Sequence, residues 1–374
     1  MSAFNNGEND EIQNQIQMIQ NQIQMIHNNF SCNELLEIVE VENDSHDCVI
    51  DIPDSQNSNE EEIICPLIDL EQGLEGIKMP TINVHTATRL LGKGQDAVYS
   101  GKFQDCNGLK GDYIATYDGH GSHSCIKAIR SFNQDEIMGD VEPVNCVIDK
   151  LRNYRKTHGI NMIDSGSTFV YAKIFTENED GLGLGYINIG NVSDSELVVF
   201  INGELVFRTK PQIAQNEGEM ERLKRENRVC FVKPLSDDLK PLVHADDKIT
   251  NERAYTINYN CMKPIVSTSS LGHNDLTGYA PEHKILTFDL DSDRVKIVCA
   301  SDGLWDMVNT DIEGDKDCLL TMDAESLCSF AERRWKQEWK YCHDKNNMFN
   351  FKVTKFPSYD DIGVVTYEYI GPHA

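Results

Sequence analysis

Short apolar runs rich in Val, Ile, Thr and Tyr recur along this 374-residue chain, and several of them stop at an aspartate. Ile114-Ala115-Thr116-Tyr117 leads into Asp118-Gly119-His120-Gly121, and Val298-Cys299-Ala300-Ser301 leads into Asp302-Gly303-Leu304-Trp305-Asp306. Tyr359-Asp360-Asp361 stands directly before Ile362-Gly363-Val364-Val365, and Asn191-Val192-Ser193-Asp194-Ser195 follows the run 184–189. β-Branched and aromatic residues suit a pleated, half-buried surface, so these runs read as strands that deliver carboxylates to their ends or to the turn beside them. Acidic groups brought together from distant parts of a chain supply the oxygen ligands that hard divalent cations require.

Further strands are expected over 77–84, 86–91, 168–175, 184–189, 197–201, 284–290, 295–300 and 362–370, and helices over 123–132, 144–156, 217–227 and 324–341. Grouped strands with intervening helices, rather than strict alternation, place the chain in the α+β class. Trp335 and Trp339, four apart in the last of these helices, read as packing residues. A hydrophobic content of 40% is enough for a core. With 34 basic and 61 acidic residues the formal charge is −27, which argues against nucleic acid or an anionic membrane as a partner. Twelve cysteines without a Cys-x-x-Cys pair fit reduced thiols in a cytoplasmic compartment and argue against a zinc site. No apolar run approaches the roughly 18 residues that span a bilayer, so a soluble protein is expected.

Residues 1–76 are acidic and rich in Gln and Asn and read as a largely disordered segment; the globular domain is expected over 77–374. Within the first segment, Ile-Gln-Asn-Gln-Ile-Gln-Met occurs twice in tandem and places Ile12, Ile16, Ile19, Ile23 and Ile26 at coiled-coil spacing. Two heptads offer weak self-association of an otherwise monomeric protein, or no more than a low-complexity tail with transient helix.

The motifs, in this order, resemble those of the type 2C metal-dependent protein phosphatases. Asp118 to Gly121 match the family's Asp-Gly-His-Gly, Gly166-Ser167-Thr168 its Gly-Ser-Thr, Asn191 to Ser195 its Asn-Val-Gly-Asp-Ser, Ala300 to Asp306 its Ala-Ser-Asp-Gly-Leu-Trp-Asp, and Asp360 to Ile362 its Asp-Asn-Ile. The resemblance implies a four-layer α-β-β-α sandwich of two antiparallel sheets flanked by helices. It implies two magnesium or manganese ions bridged by Asp118, with the Gly119 carbonyl, Asp302 and Asp360 completing their ligands, and a third, weaker ion at Asp194 and Asp302. It also implies attack on phosphoserine or phosphothreonine of a phosphoprotein by a metal-bridging hydroxide, with His120, titrating near neutrality, as general acid. Trp305 reads as an anchor beneath the Asp302 turn.

The sequence departs from that pattern at several places. Gln95-Asp96 stands where the family has an acidic pair; Gln95 keeps an oxygen able to reach a metal-bound water, and Asp96 keeps its carboxylate. Leu91 stands where an arginine grips phosphate, which leaves Arg89 or Lys93 as substitutes or as ordinary surface cations. Ser193 replaces glycine, His273 replaces the aspartate of Leu-Gly-Asp, and Asp361 replaces asparagine. An active phosphatase is therefore expected. A pseudophosphatase that keeps the fold as a binding module is the alternative, and hydrolysis of a small phosphate ester is a third reading.

Overall fold

The computed structural model describes residues 78–176, 183–228, 230–234, 240–244, 248–252, 255–259, 264–342 and 352–374. The tandem heptads of residues 12–26, and the whole of 1–76, lie outside the described residues. In chain order the elements begin with strands β1 (Thr81–Arg89), β2 (Asp96–Gln104) and β3 (Lys110–Gly121), then helices α1 (Ser124–Arg130), α2 (Gln134–Gly139) and α3 (Pro143–His158). Strands β4 (Ser165–Ser167), β5 (Phe169–Phe175), β6 (Leu184–Val192), β7 (Glu196–Ile201) and β8 (Glu204–Arg208) follow, then helix α4 (Glu217–Arg225). Next come β9 (Cys230–Pro234), β10 (Lys240–His244), β11 (Lys248–Glu252), β12 (Tyr255–Tyr259), β13 (Leu271–Gly272), β14 (Glu282–Asp289) and β15 (Arg294–Ala300). The described chain closes with α5 (Asp302–Trp305), α6 (Glu313–Thr321), α7 (Ala324–Lys336), β16 (Trp339–Cys342), β17 (Lys352–Thr354) and β18 (Ile362–Ile370).

Two antiparallel sheets form the centre. One has the order β1-β18-β15-β7-β8; the other runs β13-β4-β3-β5-β6-β14, with β2 also paired to β3. Side chains alternate across each strand, and three separate cores show where each face goes. Ile114 of β3 and Ile297 and Cys299 of β15 meet in the core between the sheets. Their neighbours Ala115 and Tyr117 turn outward onto Ile126, Ile129, Ile137 and Val147 of α1 to α3. Val298 and Ala300 turn the opposite way onto Leu304, Trp305, Leu319, Leu327 and Trp335 of α5 to α7. Alternation therefore yields helix, sheet, sheet, helix, the four layers expected.

Local chemistry sets the helix ends. Pro143 opens α3 and Gly159, at φ 63°, closes it in the left-handed conformation. Asp323 caps α7 by accepting from Ser326 N, while Arg333, Arg334 and Lys336 occupy its last turn, where the helix dipole favours cations. That helix ends at Lys336 rather than continuing to 341, because Gln337 is extended (φ −75°, ψ 170°). Trp339 consequently lies on β16, with its indole N–H donating to Arg334 O at 2.7 Å, and does not share a helix with Trp335. Runs 77–84 and 86–91 are one strand, β1, and the helix expected over 123–132 stops at Arg130, with α2 beginning at Gln134. Among the described residues no helix is long and apolar enough to cross a membrane.

Candidate active site

β2 and β3 bring Asp96 opposite Asp118 in direct register. Like charges across an antiparallel pair repel, and Asp96, which is buried, has a hydrogen-bond partner of its own. Its Oδ2 accepts from Ser301 Oγ at 2.6 Å, and that hydroxyl oxygen accepts from Gly363 N at 2.9 Å. Asp96 thus ties together β2, the β15–α5 turn that carries Asp302, and the start of β18 beside Asp360.

Asp118 is fixed through its backbone. Its N–H donates to Thr168 Oγ1 at 2.8 Å, and its carbonyl accepts from Thr168 N at 2.8 Å. Thr168 Oγ1 also shares a hydrogen bond with Ser195 Oγ, 2.7 Å away. The Gly-Ser-Thr and Asp-Ser segments therefore form one hydrogen-bonded chain behind Asp118. Trp305 donates its indole N–H to the carbonyls of Glu196 (3.1 Å) and Ala300 (3.0 Å), the anchoring expected under the Asp302 turn.

A cavity of about 610 Å³ opens over these strand ends. Lys93, Gln95, Asp118, Gly119, His120, Asp194, Asp302 and Asp360 line it, so eight of the ten residues expected at the site share one wall. The two exceptions have physical reasons. Asp96 lies beneath the wall, 3% exposed and committed to Ser301. Arg89 is drawn away by Glu325 and Glu332 of α7 and does not line the cavity, which leaves Lys93 as the cation there among the two proposed for phosphate. Sequence reasoning missed Asp164, Thr256 and the wall segment Pro264 to Ser267. It named Asp361 and His273 only as departures, yet both line the same cavity.

Gathering acids in one place raises their affinity for protons. Burial, then Asp96, Asp302, Asp360 and Asp194, holds the Asp118 carboxyl well above the usual range. Burial likewise raises Asp96, with Asp302, Asp361 and Asp360 adding to it and the Ser301 hydrogen bond opposing it. Asp360 is pushed up to about 7 by loss of hydration and by Asp302 and Asp361. His120 departs from the near-neutral titration expected of it. Burial first, then His273 and Lys93, lowers its pKa to about 3, so the ring is neutral at pH 7.

Two buried oxygens on this wall, Gln95 Oε1 and Asp302 Oδ1, have no hydrogen-bond partner among the described residues. Buried polar atoms are rarely left so, and oxygen-only donors beside crowded carboxylates fit a hard divalent cation. Among the described residues, however, no three His, Cys, Asp or Glu side chains form a ready-made ligand cluster.

The departures are themselves bonded. Asp361 Oδ1 accepts from Gly92 N at 2.7 Å and Oδ2 from Gln95 N at 2.8 Å, so the carboxylate grips both ends of the loop that carries Lys93 and Gln95. Gln95 Nε2 donates to Ser122 O at 3.2 Å. Arg130 holds the same loop through Gly94 O (3.0 Å) and Asp96 O (2.8 Å). Ser193, at φ 92°, donates its N–H to Gln212 Oε1 at 2.8 Å and its hydroxyl to Asp194 Oδ1 at 3.0 Å.

Residues 72–243 match the family model described as Protein phosphatase 2C, the family the motifs resemble. The match ends before Asp302 and Asp360, which join Asp118 only through the fold. Among solved structures the chain is similar to a C. elegans sex determining protein (15% identity, 78% of this chain and 65% of that one, TM-score 0.46). It is also similar to the S. agalactiae serine/threonine phosphatase (15%, 77% and 99%, TM-score 0.41). A third likeness is to the catalytic domain of the serine threonine protein phosphatase PstP in complex with 2 manganese ions (16%, 78% and 98%, TM-score 0.39). The chain spans less than two thirds of the C. elegans protein's length. No curated protein matches the sequence.

Proposed function

We propose that this chain is a magnesium- or manganese-dependent protein serine/threonine phosphatase. The observation that carries the reading is the pairing of unpartnered buried oxygens, on Asp302 and Gln95, with proton-hungry carboxylates on one cavity wall in a chain that matches the protein phosphatase 2C model. Asp118, Asp302 and Asp360, with the Gly119 carbonyl and Gln95 Oε1, are the groups that would hold two ions; Asp194 with Asp302 would hold a third. Such ions, when bound, neutralise the charge of the ester and activate water at neutral pH.

The remaining tasks belong to the chain's own residues. Lys93 is the side chain suited to attract a phosphate dianion as a point charge, and the backbone of its loop is held by Asp361, Arg130 and His123. Thr168 and Ser195 keep Asp118 from drifting. Ile265 and Val266 with Pro264 give the cavity an apolar side that excludes water around a substrate's side chain. His120 lines the same cavity with one N–H and one lone pair in its neutral ring.

The test is phosphate release from a phosphothreonine peptide in manganese, compared with the same protein in EDTA and with Asp118→Ala. Release that is lost in both controls supports the phosphatase; no release from folded protein refutes it. A second reading, a pseudophosphatase, is favoured by the lack of a ready-made ligand cluster among the described residues. Calorimetric titration separates the two, because a scaffold that binds neither ion yields no heat with magnesium or manganese.

A further inference from the structure

His273 interrupts the family's Leu-Gly-Asp, and nothing in the proposed chemistry uses it. It is 1% exposed, it lines the cavity, and its Nε2 is 2.8 Å from Nε2 of His120. The proton arrangement of this pair follows from a third atom. His273 Nδ1 is 2.8 Å from the carbonyl oxygen of Ile163, and a carbonyl can only accept, so Nδ1 carries the hydrogen. A neutral ring protonated at Nδ1 has a lone pair at Nε2. Two lone pairs cannot face one another at 2.8 Å, so His120 must present its N–H from Nε2. Ser270 agrees with this assignment. Its hydroxyl hydrogen has Ser167 O (3.2 Å) and Leu271 O (3.0 Å) as acceptors, which leaves its oxygen to share the His120 N–H at 3.0 Å.

The surroundings are built to hold the pair. A methyl group on Gly166 would lie 2.2 Å from His273 Nε2 and 2.4 Å from His120 Nε2, so only glycine leaves room for both rings. His273, Asn274 and Asp275 are all left-handed, at φ 45°, 50° and 66°, a run that residues with side chains adopt only when their surroundings impose it. Asn274 Oδ1 accepts from Met162 N at 3.1 Å and its Nδ2 donates to Asn161 Oδ1 at 2.7 Å. Asp275 is held by Arg152 and Arg155 of α3, each at 3.3 Å, and by the Tyr279 hydroxyl at 2.5 Å. Three consecutive residues thus fix one turn against the α3–β4 connection and place a single acceptor atom at His120.

We propose that His273 is a positioning residue that locks His120 in its Nε2–H form and leaves Nδ1 as the ring's one lone pair for work in the cavity. Its functional weight rests on the phosphatase reading above; its geometry does not. The hydrogen bond is read directly by nitrogen NMR of the full chain labelled with ¹⁵N-histidine, in EDTA and again with magnesium. Expected are a His273 ring protonated at Nδ1, a His120 ring protonated at Nε2, and a scalar coupling between the two Nε2 atoms across the hydrogen bond. A His273 protonated at Nε2 overturns the proposal whether or not the protein hydrolyses anything.

Kinetics test the consequence. His273→Ala should lower kcat about 10- to 100-fold, the loss usual when the partner that orients a working histidine is removed, with KM little changed. His273→Gln, whose side-chain oxygen can accept the same N–H, should recover most of it. Asn274→Ala loosens the same turn without touching His120 and should leave kcat within about threefold of wild type. Equal losses in the Ala and Gln variants, or in His273→Ala and Asn274→Ala, would reduce His273 to turn structure and refute the positioning role.

Discussion

Asp361→Asn is a one-atom change with opposite expectations on two physical accounts. If Asp361 is a surplus charge pressed against Asp360 and Asp302, neutralising it should stabilise the fold. The geometry argues otherwise. Both carboxylate oxygens are in use, on Gly92 N at 2.7 Å and Gln95 N at 2.8 Å, in a side chain only 3% exposed. Asparagine keeps one oxygen and turns an NH₂ toward the other backbone N–H, so one charge-assisted bond is lost and a buried donor is left facing another donor. Hydrogen bonds to charged groups contribute about 1.5 to 3 kcal/mol, and a buried unpaired donor costs about 1 to 3 kcal/mol. Some of this overlaps and some is offset by relieved repulsion, so a net loss of about 1 to 3 kcal/mol is expected. In a domain this size that lowers Tm by roughly 2 to 5 °C. Guanidinium unfolding in EDTA, with Asp361→Ala alongside, measures it, and the Ala variant should lose more because both N–H groups are stranded. An asparagine variant as stable as wild type, or more so, would refute the clamp and restore the repulsion account. Manganese affinity should fall with stability, since the loop that carries Gln95 is what the clamp holds.

Thr168→Val keeps shape but strips the acceptor from Asp118 N, and should cost about 1 to 3 kcal/mol in chemical unfolding; no change would mean that the hydroxyl chain to Ser195 is incidental. Gly166→Ala forces the His120 and His273 rings apart and should reduce kcat about 100-fold by misplacing groups by an ångström or so, as steady-state assays would read. In EDTA, the share of stability contributed by the crowded carboxyls, read as wild type against Asp360→Asn, should fall as pH rises, against the opposite pull of the buried His120, His273 and His283, whose pKa values are lowered. Asp118, Asp96 and Asp360 have folded pKa values raised above those of the unfolded chain, so the native state holds extra protons above the ordinary carboxylate range, up to about 7 at Asp360, and loses that advantage as they leave. Thermal melts at pH 5.5 and 7.5 check the sign, and magnesium should flatten the difference. A wild type that gains stability relative to Asp360→Asn between pH 5.5 and 7.5 in EDTA would refute the crowding.

Asp118, Asp302 and Asp360 were legible because each adjoins an apolar, β-prone run, which delivers a carboxylate to a strand end or the turn beside it. Their company was less legible. Asp164 and the wall from Pro264 to Ser267 belong to connections with no periodicity, and only the folded chain sets them beside Asp118. Arg89 illustrates the limit from the other side. Its nearness in sequence to Leu91, where the family has an arginine, suggested a role in phosphate binding, but Glu325 and Glu332, more than 230 positions away, decide where a guanidinium points. The helix expected to reach 341 failed for a local reason, since its amphipathic spacing continues through Trp339 while the backbone turns extended at Gln337. The low pKa of His120 was invisible because it depends on burial and on His273, a residue 153 positions distant.

The departures from the phosphatase motifs bear on whether the site works, and their bonding separates two kinds of change. A position released from function commonly drifts to whatever packs. Leu91, which joins the core beside α5 to α7, fits that description. Ser193 does not, because a left-handed serine costs about 1 to 2 kcal/mol and here it is held by Gln212 and bonded to Asp194, a proposed ligand. Gln95 and Asp361 are related more closely still. One lacks a negative charge that the resemblance implies and the other adds one, and the two are joined by a 2.8 Å hydrogen bond. The charge stands on Asp361, which anchors the loop, rather than on the side chain at 95, while Gln95 Oε1 stays on the wall without a partner among the described residues. On the proposed function, such a shift is expected to weaken cation binding. Restoring the charge in Gln95→Glu should therefore tighten manganese binding in calorimetry, and most clearly at pH values above about 7, where Asp360 no longer competes for the cation with a proton. If Gln95→Glu leaves the affinity unchanged, the oxygen at residue 95 does not reach the cation, and the site must be assembled from Asp118, Asp302 and Asp360 without it.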